Sequence, residues 1–361
     1  MQRHHQPHIL WIFLSVLILS TLLLVSCDGA GTKQGETTTQ SQPKVNVFGS
    51  AANHPHSLLA LDQHVLLLAT HYGLFRSADN GQSWKMVAGG PGQAMEGLMT
   101  YSMVKSPLDD KRVYVLAQFV DKAISKGTPG LYSSSDGGQT WQFGIAAAKL
   151  EQSNIFLAQA GNTSADEVYI YLNALGKNGL QVSQDKGQHF QSPGELPFGS
   201  LSSLITIPGQ KHTLLAASSD GLARSEDDGQ HWSLIKGTGG VYELTASGPN
   251  GPIYASGDDG VYASQDGGKT FQRVYSDSAI NSLSTSLSEP QTLYGKTGTA
   301  IYRSQDGGKK WEKLPALQGN YFNVVANPFQ AGQVYISLSY PVAVYRFDQS
   351  SQHWTSLTPK A

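Results

Sequence analysis

SQDGGKTF at Ser264–Phe271 and SQDGGKKW at Ser304–Trp311 are two copies of one pattern, S-x-D-x-G-x-x-W/F. Four more copies lie N-terminal to them: SADNGQSW at Ser77–Trp84, SSDGGQTW at Ser134–Trp141, SQDKGQHF at Ser183–Phe190 and SEDDGQHW at Ser225–Trp232. A degenerate seventh, YRFDQSSQHW at Tyr345–Trp354, aligns without a gap on YRSQDGGKKW at Tyr302–Trp311. The aspartate column reads Asp79, Asp136, Asp185, Asp227, Asp266 and Asp306, with Gln349 in the last copy, and its steps settle near 40 residues. The residue types describe a hairpin turn. The carboxylate folds back onto turn N–H groups, the glycine (Gly268, for instance) permits φ > 0, and the serine donates locally. The terminal aromatic supplies a large apolar area to cover the turn.

A period near 40 with one hairpin per copy is the mark of a four-stranded propeller blade. The sixth unit parses as Ile280–Leu287, Gln291–Gly295, Ala300–Ser304 and Lys310–Leu314, and the first as Ser57–Leu61, Val65–Thr70, Gly73–Ser77 and Ser83–Val87. Seven units predict an all-β fold, a seven-bladed β-propeller of four-stranded antiparallel blades filling residues 46–361 as one domain. Lys44–Phe48 (KVNVF) is a candidate latch strand for closing the ring.

The chain has 361 residues, and its long apolar run, Ile9–Val25, follows a weakly basic start and precedes polar sequence, the layout of a secretory signal. Leu24-Val25-Ser26-Cys27 resembles the bacterial lipobox, whose cysteine is lipidated. That resemblance implies a lipoprotein signal peptide at 1–26, a lipid anchor on Cys27 and a polar tether over 27–45, with an extracytoplasmic domain held to the cell membrane. An uncleaved transmembrane anchor is the competing reading, and it has the same consequence for location. Cys27 is the sole cysteine, which excludes an intramolecular disulfide. A formal net charge of -2, with no Lys/Arg stripe, argues against nucleic acid as a partner.

The motifs resemble the BNR, or Asp-box, repeats of sialidases, of two-propeller xyloglucan-active hydrolases, of sortilin and of the photosystem II assembly-factor propellers. The resemblance covers about residues 50–358 and implies fold far more than function, because the shared residues are turn residues. Sialidase chemistry would need three arginines around a substrate carboxylate. Of the six arginines after Cys27, Arg76, Arg224, Arg303 and Arg346 immediately precede motifs, which leaves Arg112 and Arg273, and the Arg-Ile-Pro signature is absent. A glycoside hydrolase using two carboxylates roughly 5–10 Å apart at the channel mouth is the alternative, with Glu96 and Glu243 as nominees.

Strand order places the motif hairpins on one face with the turns between first and second strands. The opposite face then receives the blade-to-blade connections and the longer loops, among them Gly89–Gly97, Val120–Gly130 and Asn173–Gly179. His54 and His56 enter the first inner strand there, and His71-Tyr72 forms the next turn of the same blade. These four make the candidate binding face, and the three histidines are a possible divalent-metal or sugar cluster. No cofactor is otherwise implied. The leading expectation is a monomeric, non-catalytic scaffold that binds a protein or glycan on this loop face.

Overall fold

The computed structural model describes residues 52–358 apart from 124, 151–154 and 277–279. The signal peptide, Cys27, the tether and the Lys44–Phe48 latch lie outside the described residues. Among those described, no helix is long and apolar enough to cross a membrane.

Seven antiparallel sheets follow one another along the chain, each in simple sequential strand order. Their inner strands are Pro55–Ala60, Leu98–Lys105, Leu157–Ala160, Ser203–Thr206, Val241–Ala246, Ser282–Thr285 and Asn320–Ala326. Each inner strand touches the next, and the first touches the last, so the sheets close into a seven-bladed propeller. Blade 7 is built wholly from the C-terminal strands Asn320–Ala326, Gln333–Tyr340, Val342–Asp348 and His353–Ser356. Observed strands are shorter than the sequence suggests in blade 6, where Ser282–Thr285 replaces the expected Ile280–Leu287. Ser286 Oγ there accepts the Ser288 N–H and Thr292 N–H bonds the Glu289 carbonyl, so a turn takes over from residue 286. In blade 3 the fourth strand shrinks to a single bridge between Val182 and Gln191. Ser192-Pro193-Gly194 follows at once, and a residue without an N–H ends the ladder.

The six intact motifs share one geometry. In blade 5, Ser264 Oγ donates to Asp266 Oδ1 at 2.8 Å and accepts the Gly268 N–H at 2.9 Å. Asp266 Oδ1 also accepts the Lys269 and Thr270 N–H groups, each at 3.0 Å. Gly267 and Gly268 both lie at positive φ, +71° and +80°, where glycine is the low-strain residue. A Cβ on Gly268 would stand 2.8 Å from Leu215 of the preceding blade. Hydrogen bonds led by the Ser83 hydroxyl push the Asp79 carboxyl down to about 2 in the first motif, so it is ionised at neutral pH. The N–H after the aspartate reaches back to the inner turn of its own blade, as in Asn80 to His64 O at 2.7 Å and Gly307 to Gln291 O at 3.0 Å. The degenerate copy keeps strand register, with Phe347 opposite Trp354, but not the turn. Phe347 is fully buried where the other copies have serine, Gln349 carries no carboxylate, and Asp348 instead accepts the Ser350 N–H at 3.0 Å.

Among the described residues the buried apolar side chains form seven clusters, one at each blade-to-blade contact. Each motif aromatic packs onto the preceding blade: Trp141 against Leu67, Phe271 against Leu215, Trp311 against Val261. The seam between blades 7 and 1 follows the same rule. Trp84 joins Leu68, Val344 and Leu357, and its indole N–H bonds the Leu357 carbonyl at 2.7 Å. Two of the four arginines preceding motifs reach forward to the next motif turn, Arg76 Nε to Gly137 O at 2.9 Å and Arg224 Nε to Gly267 O at 3.0 Å.

Three substitutions test this scaffold by urea unfolding. Asp266→Ala should cost about 1–3 kcal/mol through lost turn bonds. Leu357→Ala, at the seam, should cost about 2–5 kcal/mol. Leu287→Ala, at an exposed turn, should change stability by less than about 0.5 kcal/mol.

Candidate functional site

The three histidines come together. Pro55 pairs with Thr70 across the first two strands of blade 1, and the His71 N–H bonds the His54 carbonyl at 3.0 Å, which clamps the strand entry to the following turn. Asn53 is fully buried, and its Oδ1 accepts the Tyr72 N–H at 2.7 Å, holding that turn from below. His56 Nε2 and His71 Nδ1 stand 3.5 Å apart, and the His54 ring centroid lies 4.6 Å from His56 and 4.9 Å from His71. The His56 ring meets Phe322 of blade 7 edge-on at 5.9 Å, and the His71 ring meets Tyr72 at 4.9 Å. Burial, with His54 and His71 alongside, pushes the His56 imidazole down to about 4, and burial lowers the other two. Burial thus favours the neutral imidazole at all three.

The nominated carboxylates have different partners. Glu96, on the connection between blades 1 and 2, ion-pairs with Lys126 at 3.0 Å and accepts the Gly92 N–H at 3.0 Å. Its backbone carbonyl accepts the N–H groups of Lys126 and Gly127, so this residue pins a loop. Glu243, on the inner strand of blade 5, accepts the Leu283 N–H of blade 6 at 3.1 Å. Among the described residues the hydrogen bonds and ion pairs of the two carboxylates involve no common partner. Serines do the same wall-lacing elsewhere, Ser203 accepting from Leu244 N–H and Ser284 from Ala326 N–H, which gives Glu243 a structural duty between inner strands. Burial pushes its carboxyl up to about 7 against the pull of that N–H, the Ser282 hydroxyl and the Lys296 ammonium. Arg112 is buried against Asp166 at 2.9 Å, and Arg273 lies exposed on the outer strand Gln272–Tyr275.

Sequence reasoning missed the most prominent feature of the loop face. Six large apolar side chains are exposed there: Phe119, Phe156, Leu175, Tyr242, Phe322 and Tyr340, the last at 67%. Phe156, Tyr242 and Phe322 stand at or just before the starts of inner strands, and Phe119, Leu175 and Tyr340 at or beside the turns between second and third strands. The motif face exposes only Leu108 and Leu287 of this kind among the described residues. Tyr242 is fixed by its hydroxyl, which donates to Asp258 Oδ1 at 2.6 Å. The available signal was an aromatic out of phase with the buried residues of an inner strand, as Tyr242 follows buried Val241 and Phe322 follows Tyr321.

No family model matches the chain, and no curated protein matches it in sequence. Solved structures do share the fold. A GH74 xyloglucanase from Xanthomonas campestris superposes with a TM-score of 0.66 at 16% identity, over 87% of this chain and 55% of that one. YCF48 bound to D1 peptide gives 0.58 at 17% identity, over 80% and 92%. The extracellular domain of a putative one component system, BT4673 from B. thetaiotaomicron, gives 0.58 at 13%, over 83% and 39%. The chain thus spans about half the length of the xyloglucanase. Its fold, a seven-bladed propeller of the Asp-box type, is shared with the xyloglucanase and with YCF48, the latter described as bound to a peptide.

Glu243 sets a pH dependence. A carboxyl raised from 4.5 to about 7 keeps its proton in the folded state while the unfolded chain releases it, so its contribution weakens stability as pH rises from about 4.5 to 7. Chemical unfolding of wild type and Glu243→Gln across this range should show the stability difference moving in favour of the variant as pH rises. A constant difference would contradict the assignment.

Proposed function

We propose that this protein is a non-catalytic binding propeller, anchored outside the cytoplasmic membrane through a lipid on Cys27, that holds a protein or glycan against its loop face. The observation that carries the reading is the concentration of exposed aromatics on that face around a rigid ring. Tyr and Phe side chains supply large contact area at low conformational cost and are favoured anchors at interfaces. The anchor is supported by the Leu24–Cys27 pattern after an apolar leader. Binding is further supported by the arrangement of the carboxylates: Glu96 is neutralised by Lys126, and Glu243 is engaged with the backbone of the next blade. YCF48, described as bound to D1 peptide, is a precedent for a single propeller of similar size engaging a peptide.

The test is a triple variant, Phe156→Ala/Tyr242→Ala/Tyr340→Ala, compared with Leu108→Ala/Leu287→Ala on the motif face. Binding to a glycan array, and to envelope proteins after crosslinking in membranes, should fall at least about tenfold in the first and stay at wild-type level in the second. Hydrolysis of a polysaccharide in the same panel, abolished by Glu243→Gln in a folded protein, would replace this reading with the glycoside hydrolase one.

A further inference from the structure

We propose that His54, His56 and His71 form a binding site for a borderline transition-metal dication of the Zn2+, Cu2+ or Ni2+ class, at the edge of the loop face. The inference is independent of which partner that face holds.

The geometry is close to what a metal needs. Three imidazoles around Zn2+ at about 2.0–2.1 Å in a tetrahedral arrangement stand about 3.4 Å from one another. The ligand nitrogens of these three side chains all lie within 4.8 Å of one another, and the His56–His71 pair is already at 3.5 Å. The widest separation in the group exceeds the tetrahedral value by about 1.4 Å at most. The scaffold restricts the backbone around all three: the His71-to-His54 main-chain bond, the Pro55–Thr70 pairing and the Asn53 bond to Tyr72 fix the two segments relative to each other. Each ring is only partly buried, so a fourth coordination position faces solvent, as in sites that exchange a water for an external ligand.

The donor set also selects the ion. No carboxylate belongs to the group among the described residues, which disfavours Ca2+ and Mg2+, ions that take oxygen ligands. Neutral imidazoles suit Zn2+, Cu2+ and Ni2+. A three-histidine cage leaves the bound dication with its full positive charge, so the open position favours water, hydroxide or a carboxylate from an incoming partner. Close packing of three histidines is otherwise unhelpful. They stack on each other, and among the described residues no carboxylate joins the group.

The experiment uses the full chain without an affinity tag, in a background where His4, His5 and His8 are replaced by alanine so that the N-terminal histidines do not compete. Co2+ is titrated and followed by visible absorbance, then displaced with Zn2+. One equivalent should bind with the intense bands of four-coordinate cobalt, and Zn2+ should raise the thermal unfolding midpoint. His71→Ala and, separately, His54→Gln should each weaken binding by about 100-fold or more and abolish the midpoint shift, with far-UV circular dichroism unchanged. His231→Ala, an exposed histidine paired with Asp227 on the motif face, should behave as the parent. The proposal is overturned if the parent binds no Co2+ at micromolar concentrations, or if a folded His71→Ala or His54→Gln protein binds it as tightly as the parent.

Discussion

A four-stranded sheet that is apolar on both faces must find two neighbours, and in this chain the last of those contacts is the one between blade 7 and blade 1. Everything else in the ring is a contact between blades adjacent in sequence. The seam joins Leu58, Leu66, Leu68 and Phe75 to Tyr335, Val342, Val344 and Leu357. Two polar bonds cross it, from the Trp84 indole to the Leu357 carbonyl and from the Tyr335 hydroxyl to Asn80. The motif of blade 1 supplies Trp84 and Asn80 alike, so the repeat that builds each blade also closes the circle. Packing is the means of closure throughout the described residues, since each blade is drawn from one continuous stretch of chain.

That constraint divides labour between the two faces. On one, serine, aspartate, glycine and arginine are consumed in turn geometry and in ties to the next blade, as Arg224 and Gly267 illustrate. Substitution there carries a structural cost. On the other face, side chains like Tyr340 and Phe156 lie open to solvent. A ring with five of its six exposed large aromatics at one mouth, Phe143 on an outer strand being the sixth among the described residues, can present them without a large ordering cost on binding. The histidine trio lies at the same edge, in ring contact with Phe322, which makes it part of that presented surface.

The fold was legible because each motif encodes a local turn, and local turns repeated at blade spacing leave one architecture. His54, His56 and His71 were also legible as a group, because strand alternation and one short turn place them together. Longer-range relations were not. Nothing local to Arg76 announces that it will reach Gly137 in the next blade, and nothing local to Glu243 distinguishes a catalytic acid from a bond across the channel wall. The missing fourth strand of blade 3 follows from Pro193, a signal present in the sequence but outweighed by the regular period. The aromatic rim escaped notice because exposure of Tyr242 or Phe322 depends on the packing of a neighbouring blade, not on the residue's own strand.

The account rests on the two faces being unequal, and site-specific photo-crosslinking in the cells that make the protein tests it most directly. A benzophenone amino acid replaces Tyr340 in one version and Leu287 in another, both folded and located in the cell as wild type. The account predicts a discrete adduct, protein or glycan, from position 340 and none from position 287. Adducts from position 287 with none from position 340 would place recognition on the motif face and contradict it.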